Sequence, residues 1–378
     1  MKQQLFDNVK NIYGWRTQRK MVAFAVDDYA NVRVDSPAAY ESLRQSGLDM
    51  SSQMDRTDTL ETRQDLERLF ETLDSVKDTR DQPAIFTAYV LSSNPDFERI
   101  LEEEDGYHSE LVPQTFKRLA REQADAYAGA WECWQEGIER KLLHPQFHGR
   151  EHLNIRLFEY KLASRSPDLM ANLKQRSMAG IAGDAAFPGI GFSHAYGVLD
   201  RKDPHRHLEI IRAGIEAFKK SWGFRPTTFT PPALKLHPDL ADQVVQHGLR
   251  AVHKPLHCKR SLGDGRQKRE INHSGPRRNH KHLTIVRNVV FEPCKPMGFD
   301  PVARAIHQIE AAFRWKRPAI ISSHRANFCG HLDPTNREKG VAALHLLLKE
   351  IVSRWPDVEF VTTSGIVEAL GGAGGNRR

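Results

Sequence analysis

The sequence predicts an α/β protein whose parallel strands close into one barrel, and three observations carry that expectation. Short apolar runs alternate with longer stretches of helical periodicity over nearly the whole chain. Several of the runs stop abruptly at polar residues, as buried parallel strands do at their C-terminal ends. The residues that end them, Asp27-Asp28, His148 to His152, Pro231-Pro232 and His324, would then share one rim, which is where function gathers in a barrel.

Taken in order, Met21 to Val26 is a continuous apolar run ending at Asp27-Asp28, and reads as the first strand. Residues 30–80 are charged and helical in tendency, and read as an insertion or lid. Pro83 to Val90 is a second strand, followed by the loop residues Ser92, Ser93, Asn94 and Pro95. Phe116 to Ile138 has helical periodicity with Trp131 and Trp134 on one face, and Lys141 to Phe147 is a third strand. Residues 166–204 are glycine-rich and irregular, an excursion placed to roof a cleft. Leu208, Ile211, Ile215, Phe218 and Trp222 recur at three- and four-residue steps up to Gly223, which predicts an amphipathic helix. Strands at Thr227 to Thr230, Leu249 to Val252, Leu283 to Phe291, Ala319 to Ser322 and Val358 to Thr362 alternate with helices ending near His247, Phe313 and Trp355. One domain over residues 1–370 follows, with insertions at about 30–80, 166–204 and 257–282. The glycine-rich tail 371–378 is expected to be flexible.

Composition narrows the class. At 378 residues, 39% hydrophobic and 27% charged, the chain reads as a globular protein with a large core. Nothing approaches the roughly 20 apolar residues of a membrane-spanning helix, and the N-terminus lacks an apolar signal core, so a cytoplasmic location is expected. Cys133, Cys258, Cys294 and Cys329 show no CxxC spacing and read as free thiols. The net charge of +7 gathers in residues 259–281, a basic loop able to meet a phosphate or a membrane surface. No aromatic residues interleave with these charges, so nucleic acid is not expected as a partner.

The chemistry centres on His148 and His152. On the first turn of a helix, residues four apart stack with β-carbons about 6 Å apart, so both rings could reach one divalent ion. The acidic pair Asp27-Asp28 is the natural source of a third ligand. His144 lies four residues from His148 too, but along a strand that pair would stand roughly 13 Å apart.

In this order, the acidic pair after strand one, the His-x-x-x-His, Phe229-Thr230-Pro231-Pro232 after an amphipathic helix, and the late strand ending Ser322-Ser323-His324 resemble the NodB-homology polysaccharide deacetylases, carbohydrate esterase family 4. The resemblance spans most of the chain and is clearest from Asp203 to Val252. It implies an irregular (β/α) barrel and removal of an acetyl group from an N-acetylated sugar or glycoconjugate. It also implies roles: Asp27 as base, Asp28, His148 and His152 as ligands of a divalent metal with zinc the first candidate, and His324 as acid. Pro231, Arg325 and Asn327 are candidates for contacting the glycan. Two departures stand out. Thr230 occupies the place of an arginine that braces the catalytic aspartate, with Arg225, Arg287 and Arg325 as possible substitutes, and no clear Asp-Trp motif precedes His324.

Two alternatives remain open at this level. The missing brace admits a glycan-binding barrel without turnover. His148-Gly149-Arg150-Glu151-His152 also fits the His-x-x-Glu-His of inverzincin metallopeptidases, with Glu151 as base. A Gly-x-Ser-x-Gly elbow and a Walker-type phosphate loop are both absent from the sequence, which removes serine-hydrolase and nucleotide-dependent phosphoryl-transfer chemistry of those types.

Overall fold

The computed structural model describes residues 2–264, 266–278 and 280–372. Nine strands of its main sheet are central: β1 (Lys20–Tyr29), β2 (Phe86–Leu91), β3 (Leu143–Gly149), β4 (Thr228–Phe229), β5 (Ala251–His253), β6 (Leu283–Ile285), β7 (Val289–Val290), β8 (Ala319–His324) and β9 (Val358–Phe360). The sheet runs β6-β5-β4-β3-β2-β1-β8-β7, all parallel, with β9 added beside the start of β1 and the short Gly275–Pro276 strand antiparallel to β6. Among the described residues no ladder joins β6 to β7, so this is an irregular barrel with a seam, and residues 286–288 cross it.

Alternation along the strands sorts the side chains. Val22, Phe24 and Val26 of β1 face outward into the main core, while Met21, Ala23 and Ala25 face inward with Tyr89, Ala251, Ile285 and Ile320. The inner cluster is completed by Ile366, Val367 and Leu370 of the last helix, α6 below, which closes the bottom of the barrel. Among the helices that precede it are α1 (Arg63–Asp74), α2 (Ala130–Glu139), α3 (Asp203–Trp222), α4 (Pro301–Arg314) and α5 (Pro334–Arg354); α6 itself is Thr363–Gly372. Trp131 and Trp134 of α2 do share a face, meeting Trp222 at the end of α3 with ring centroids 5.2 and 4.9 Å apart.

Several boundaries differ from the sequence expectation, each for a physical reason. Residues 30–80, expected as an insertion or lid, contribute to the main core: Leu60 and, from α1, Leu66, Leu69, Phe70 and Leu73 lie in it, because α1 buries its apolar stripe against α2. The helix expected over Phe116 to Ile138 is three pieces, Val112–Glu122, Ala124–Tyr127 and Ala130–Glu139, broken where Gln123 leaves helical geometry and where Gly129 takes φ +77°. Strand Leu283 to Phe291 is two strands separated at the seam. The basic 257–282 region contains an antiparallel hairpin of His257–Ser261 and Gln267–Ile271. At the C-terminus α6 extends through Gly372, and the remaining tail residues 373–378 lie outside the described residues. The four cysteines are free, and no described helix is long and apolar enough to cross a membrane.

One helix contact bears on the site. Gly340 inside α5 lies so close to the Asn327 carbonyl that a β-carbon there would collide with it. Gly340→Ala is therefore expected to destabilise the fold by about 1–3 kcal/mol, the usual cost of overpacking. Thermal melting would check this, and an unchanged melting temperature would contradict it.

Candidate active site

β1 presents both aspartates at its C-terminal end. Adjacent strand residues normally point to opposite faces, yet the β1–β2 register shifts between Val26 and Tyr29, and Asp28 and Ala30 take φ of +71° and +62°. This bulge turns Asp28 to the same end of the barrel as inward-facing Asp27. It is held by Glu61, whose carboxylate accepts the Ala30 N–H at 3.2 Å and the Trp134 indole N–H at 2.7 Å.

His148 and His152 are not on a helix. His148 sits on β3 with its ring inward, Gly149 at φ +132° turns the chain, and His152 lies in the following bend, before the helix that starts at Ile155. The two rings still converge, with centroids 5.2 Å apart. Nε2 of His148 is 3.1 Å and Nε2 of His152 is 3.2 Å from the same Asp28 Oδ1, making one of the candidate three-ligand groups among the described residues. Burial would raise the Asp28 carboxyl, but His152 and His148 outweigh it and hold it well below its ordinary value.

The donor set suits a cation. Nδ1 of His148 is 2.7 Å from the Thr230 carbonyl oxygen, which only accepts, so Nδ1 carries the hydrogen. In the neutral ring the Nε2 lone pair then faces a carboxylate oxygen, an arrangement that calls for a positive centre between them. One carboxylate and two imidazoles are the ligand types that zinc and similar ions take.

Asp27 is braced by Arg287 from the seam. Nη1 and Nη2 of Arg287 donate to the two Asp27 oxygens at 2.6 Å each, and further to Ser322 Oγ at 3.2 Å and Thr230 Oγ1 at 2.9 Å. Its Nε donates to Nδ1 of His253 at 3.1 Å, so every donor nitrogen of the fork is engaged. Nε2 of His253 faces the Tyr89 hydroxyl at 2.6 Å, and burial together with Arg287 holds the imidazole well below its ordinary value. Of the three arginines considered for this place, Arg225 is at the surface on Glu216 and Arg325 is committed elsewhere. Thr230 thus receives an arginine from the seam crossing at residues 286–288.

β8 lies next to β1 with Asp27 and His324 in register, so the two side chains stand side by side. Nδ1 of His324 is 2.6 Å from Glu292 Oε1, and Glu292 Oε2 accepts from Asn327 Nδ2 at 2.7 Å. This leaves Nε2 of His324 for the cleft. Burial would depress the imidazole, but Glu292, with Asp28 and Asp27, raises it to about 9.

The three candidate glycan contacts, Arg325, Asn327 and Pro231, are all buried. Arg325 is 1% exposed, and its guanidinium pairs with Asp58 at 2.6 Å and Glu61 at 2.8 Å; it ties the end of β8 to the region around α1. Asn327 is buried and holds Glu292. Pro231 is buried as well. Glu151 is buried in an ion pair with Arg150, and with no helix under His148 to His152 the inverzincin geometry is not formed. The sequence reading missed Glu292 and left Arg287 unchosen. Both carried a signal: a charged residue inside the apolar run Leu283 to Phe291, and a carboxylate at its end.

A cavity of about 240 Å³ opens beside His152, lined by Arg33, Asp55, Ser93, Asn94 and Glu151 and roofed by segments of residues 178–193. Residues of the excursion after residue 166 thus line this cavity.

No family model and no curated protein sequence matches the chain. Solved structures do. A Mycobacterium smegmatis protein described as a polysaccharide deacetylase aligns with 96% of this chain and 93% of its own at 13% identity and a TM-score of 0.44. A family 4 acetyl xylan esterase from Clostridium thermocellum, solved with a cobalt ion, aligns with 93% of this chain and 92% of its own at 14% identity and a TM-score of 0.34. A 4-alpha-glucanotransferase from Thermococcus litoralis aligns with 93% of this chain and 40% of its own at 11% identity and a TM-score of 0.46. All three TM-scores lie below 0.5.

Proposed function

We propose that the chain is a metal-dependent hydrolase that removes the acetyl group from an N-acetylated sugar or glycoconjugate. The observation that carries this reading is the convergence, at one end of the barrel, of the Asp28, His148 and His152 donors with a braced carboxylate, Asp27, and a histidine, His324, that stands beside Asp27 with its Nδ1 on Glu292. Asp28, His148 and His152 would hold the divalent ion, zinc first among candidates. When bound, such an ion supplies a Lewis-acid centre and acidifies water.

The chain's own groups do the rest. Asp27 accepts a proton from the water that attacks the acetamido carbon, while Arg287 keeps the carboxylate aimed; each Asp27 oxygen retains a lone pair beyond its bond to the fork. As the C–N bond breaks, Nε2 of His324 gives its proton to the departing amine, and acetate is released. Glu292 keeps that proton in place by holding Nδ1. The filled brace position favours turnover over a binding-only role.

Metal analysis combined with acetate release from N-acetylglucosamine oligomers tests the reading. Asp28→Ala is expected to lose both metal and activity. Asp27→Asn is expected to keep the metal and lose about 10²–10⁴-fold in rate, the usual size of general-base catalysis. Wild-type protein that takes up no divalent ion, or an Asp27→Asn variant of undiminished activity, contradicts it.

A further inference from the structure

A second cavity, of about 410 Å³, lies between the basic hairpin, residues 188–199 and the turn that follows β4. Lys235, His237, Lys259, Arg260, Ser261 and Arg266 line it, and among the described residues no aspartate or glutamate does. This is the size of a small-ligand site. Its walls carry one sign of charge.

The hairpin's charges are poorly balanced. Its residues 257–271 hold five basic side chains against Asp264 and Glu270. Arg260 pairs with Glu270 at 3.1 Å, and Arg266 shares Asp264 with Arg201. Lys259 and Lys235 have no ion pair among the described residues. The Lys235 ammonium instead donates to Nδ1 of His194 at 3.1 Å. Across the ladder Arg260 faces Lys268, with Glu270 paired to both, and Lys259 faces Arg269. Like charges directly opposite destabilise a strand pair, and the Lys259–Arg269 pair has no carboxylate between them in the ion pairs of the described residues.

A solvated flap would splay to relieve this, but the hairpin is docked. Arg201 bonds Asp264 at 2.9 Å, and the tip backbone at Gly263 lies so close to Asp200 that a β-carbon would come within 2.5 Å of its carbonyl. The basic face is thereby fixed over the cavity. The cavity is also tied to the candidate active site, because the turn that carries Lys235 begins at Thr230, whose carbonyl holds His148 and whose hydroxyl holds Arg287.

We infer that this cavity is a subsite for a phosphate or diphosphate ester carried by the glycan. The inference rests on the deacetylase reading for the glycan part. Cations on several walls suit a group with several acceptor oxygens around one centre. The sugar would reach the cleft beside His152 while its phosphate sits against Lys259, Arg266 and Lys235.

Titration calorimetry on the full chain tests this without turnover, with N-acetylglucosamine 1-phosphate, N-acetylglucosamine and inorganic phosphate as probes. The phosphorylated sugar is expected to bind roughly tenfold or more tightly than the free sugar, as a charge-assisted bond would provide. Lys259→Ala/Arg266→Ala, and separately Lys235→Ala, should remove that advantage and weaken inorganic phosphate, with far-ultraviolet circular dichroism unchanged. Equal affinity for the two sugars in wild type, or equal losses for both in the variants, overturns the subsite. So does a hairpin that matters only for vesicles containing phosphatidylglycerol, which would mark a lipid surface as the occupant. Phosphate binding that depends on the hairpin in a protein releasing no acetate keeps the subsite and removes the deacetylase reading.

Discussion

Arg287→Ala is expected to lower acetate release by about 10²–10³-fold and to cost about 3–5 kcal/mol of stability, the penalty for breaking a buried ion pair by removing one partner. Asp27 is 7% exposed, so once the guanidinium is gone its carboxylate stays buried without a countercharge. It also loses its aim, because both of its oxygens are bonded to the Arg287 fork. Lysine cannot substitute: one ammonium cannot bridge both Asp27 oxygens while also reaching Thr230, Ser322 and His253. Arg287→Lys should therefore recover part of the stability and little of the rate. Chemical denaturation beside steady-state kinetics measures both quantities, and an Arg287→Ala enzyme with unchanged kcat would remove the brace from the mechanism.

Glu292→Gln is expected to move the alkaline limb of the pH–rate profile to lower pH. In the wild type burial would depress the His324 imidazole, but Glu292, with Asp28 and Asp27, raises it to about 9. The amide removes the opposing charge and leaves the burial, so the imidazole falls toward its ordinary value and its acid form disappears sooner. Stability carries the same sign. A histidine raised on folding contributes stability that is fully present below its unfolded value of roughly 6.5 and is lost as pH rises through about 9. The wild-type advantage over Glu292→Gln should thus be wide at pH 6 and closed by pH 10. A limb that does not move between the two proteins would mean that His324 is not the proton donor.

Much of the barrel could be read from periodicity. The apolar runs that became β1, β2 and β8 and the step pattern that became α3 depend on neighbours near in sequence, and they fell within a few residues of their expected places. Less was readable where the chain breaks its own period. The run from Leu283 to Phe291 looks continuous, yet it crosses the barrel seam at residues 286–288, and that interruption is what aims Arg287 inward. Residues 30–80 looked polar because Asp58 and Glu61 are ionic, but their charges face Arg325 in the interior. A side chain's partner across more than 250 residues leaves no trace in local pattern.

The site shows the same division. Sequence alone supplied the donors: Asp27-Asp28 at the end of an apolar run, His148 and His152 four residues apart, and His324 at the end of another run. It could not supply their geometry. The four-residue spacing suggested a helix, whereas the pair is formed by a strand end and a bend around Gly149. Two consecutive aspartates on a strand should point apart, and only the bulge at Asp28, held by Glu61, brings both to one rim. The pairing of β8 with β1 sets His324 beside Asp27, and chain crossing at the seam decides that Arg287 and Glu292 serve them. Donor chemistry is a property of single residues and is legible one at a time. Convergence depends on register and bulges, which the whole sheet sets together.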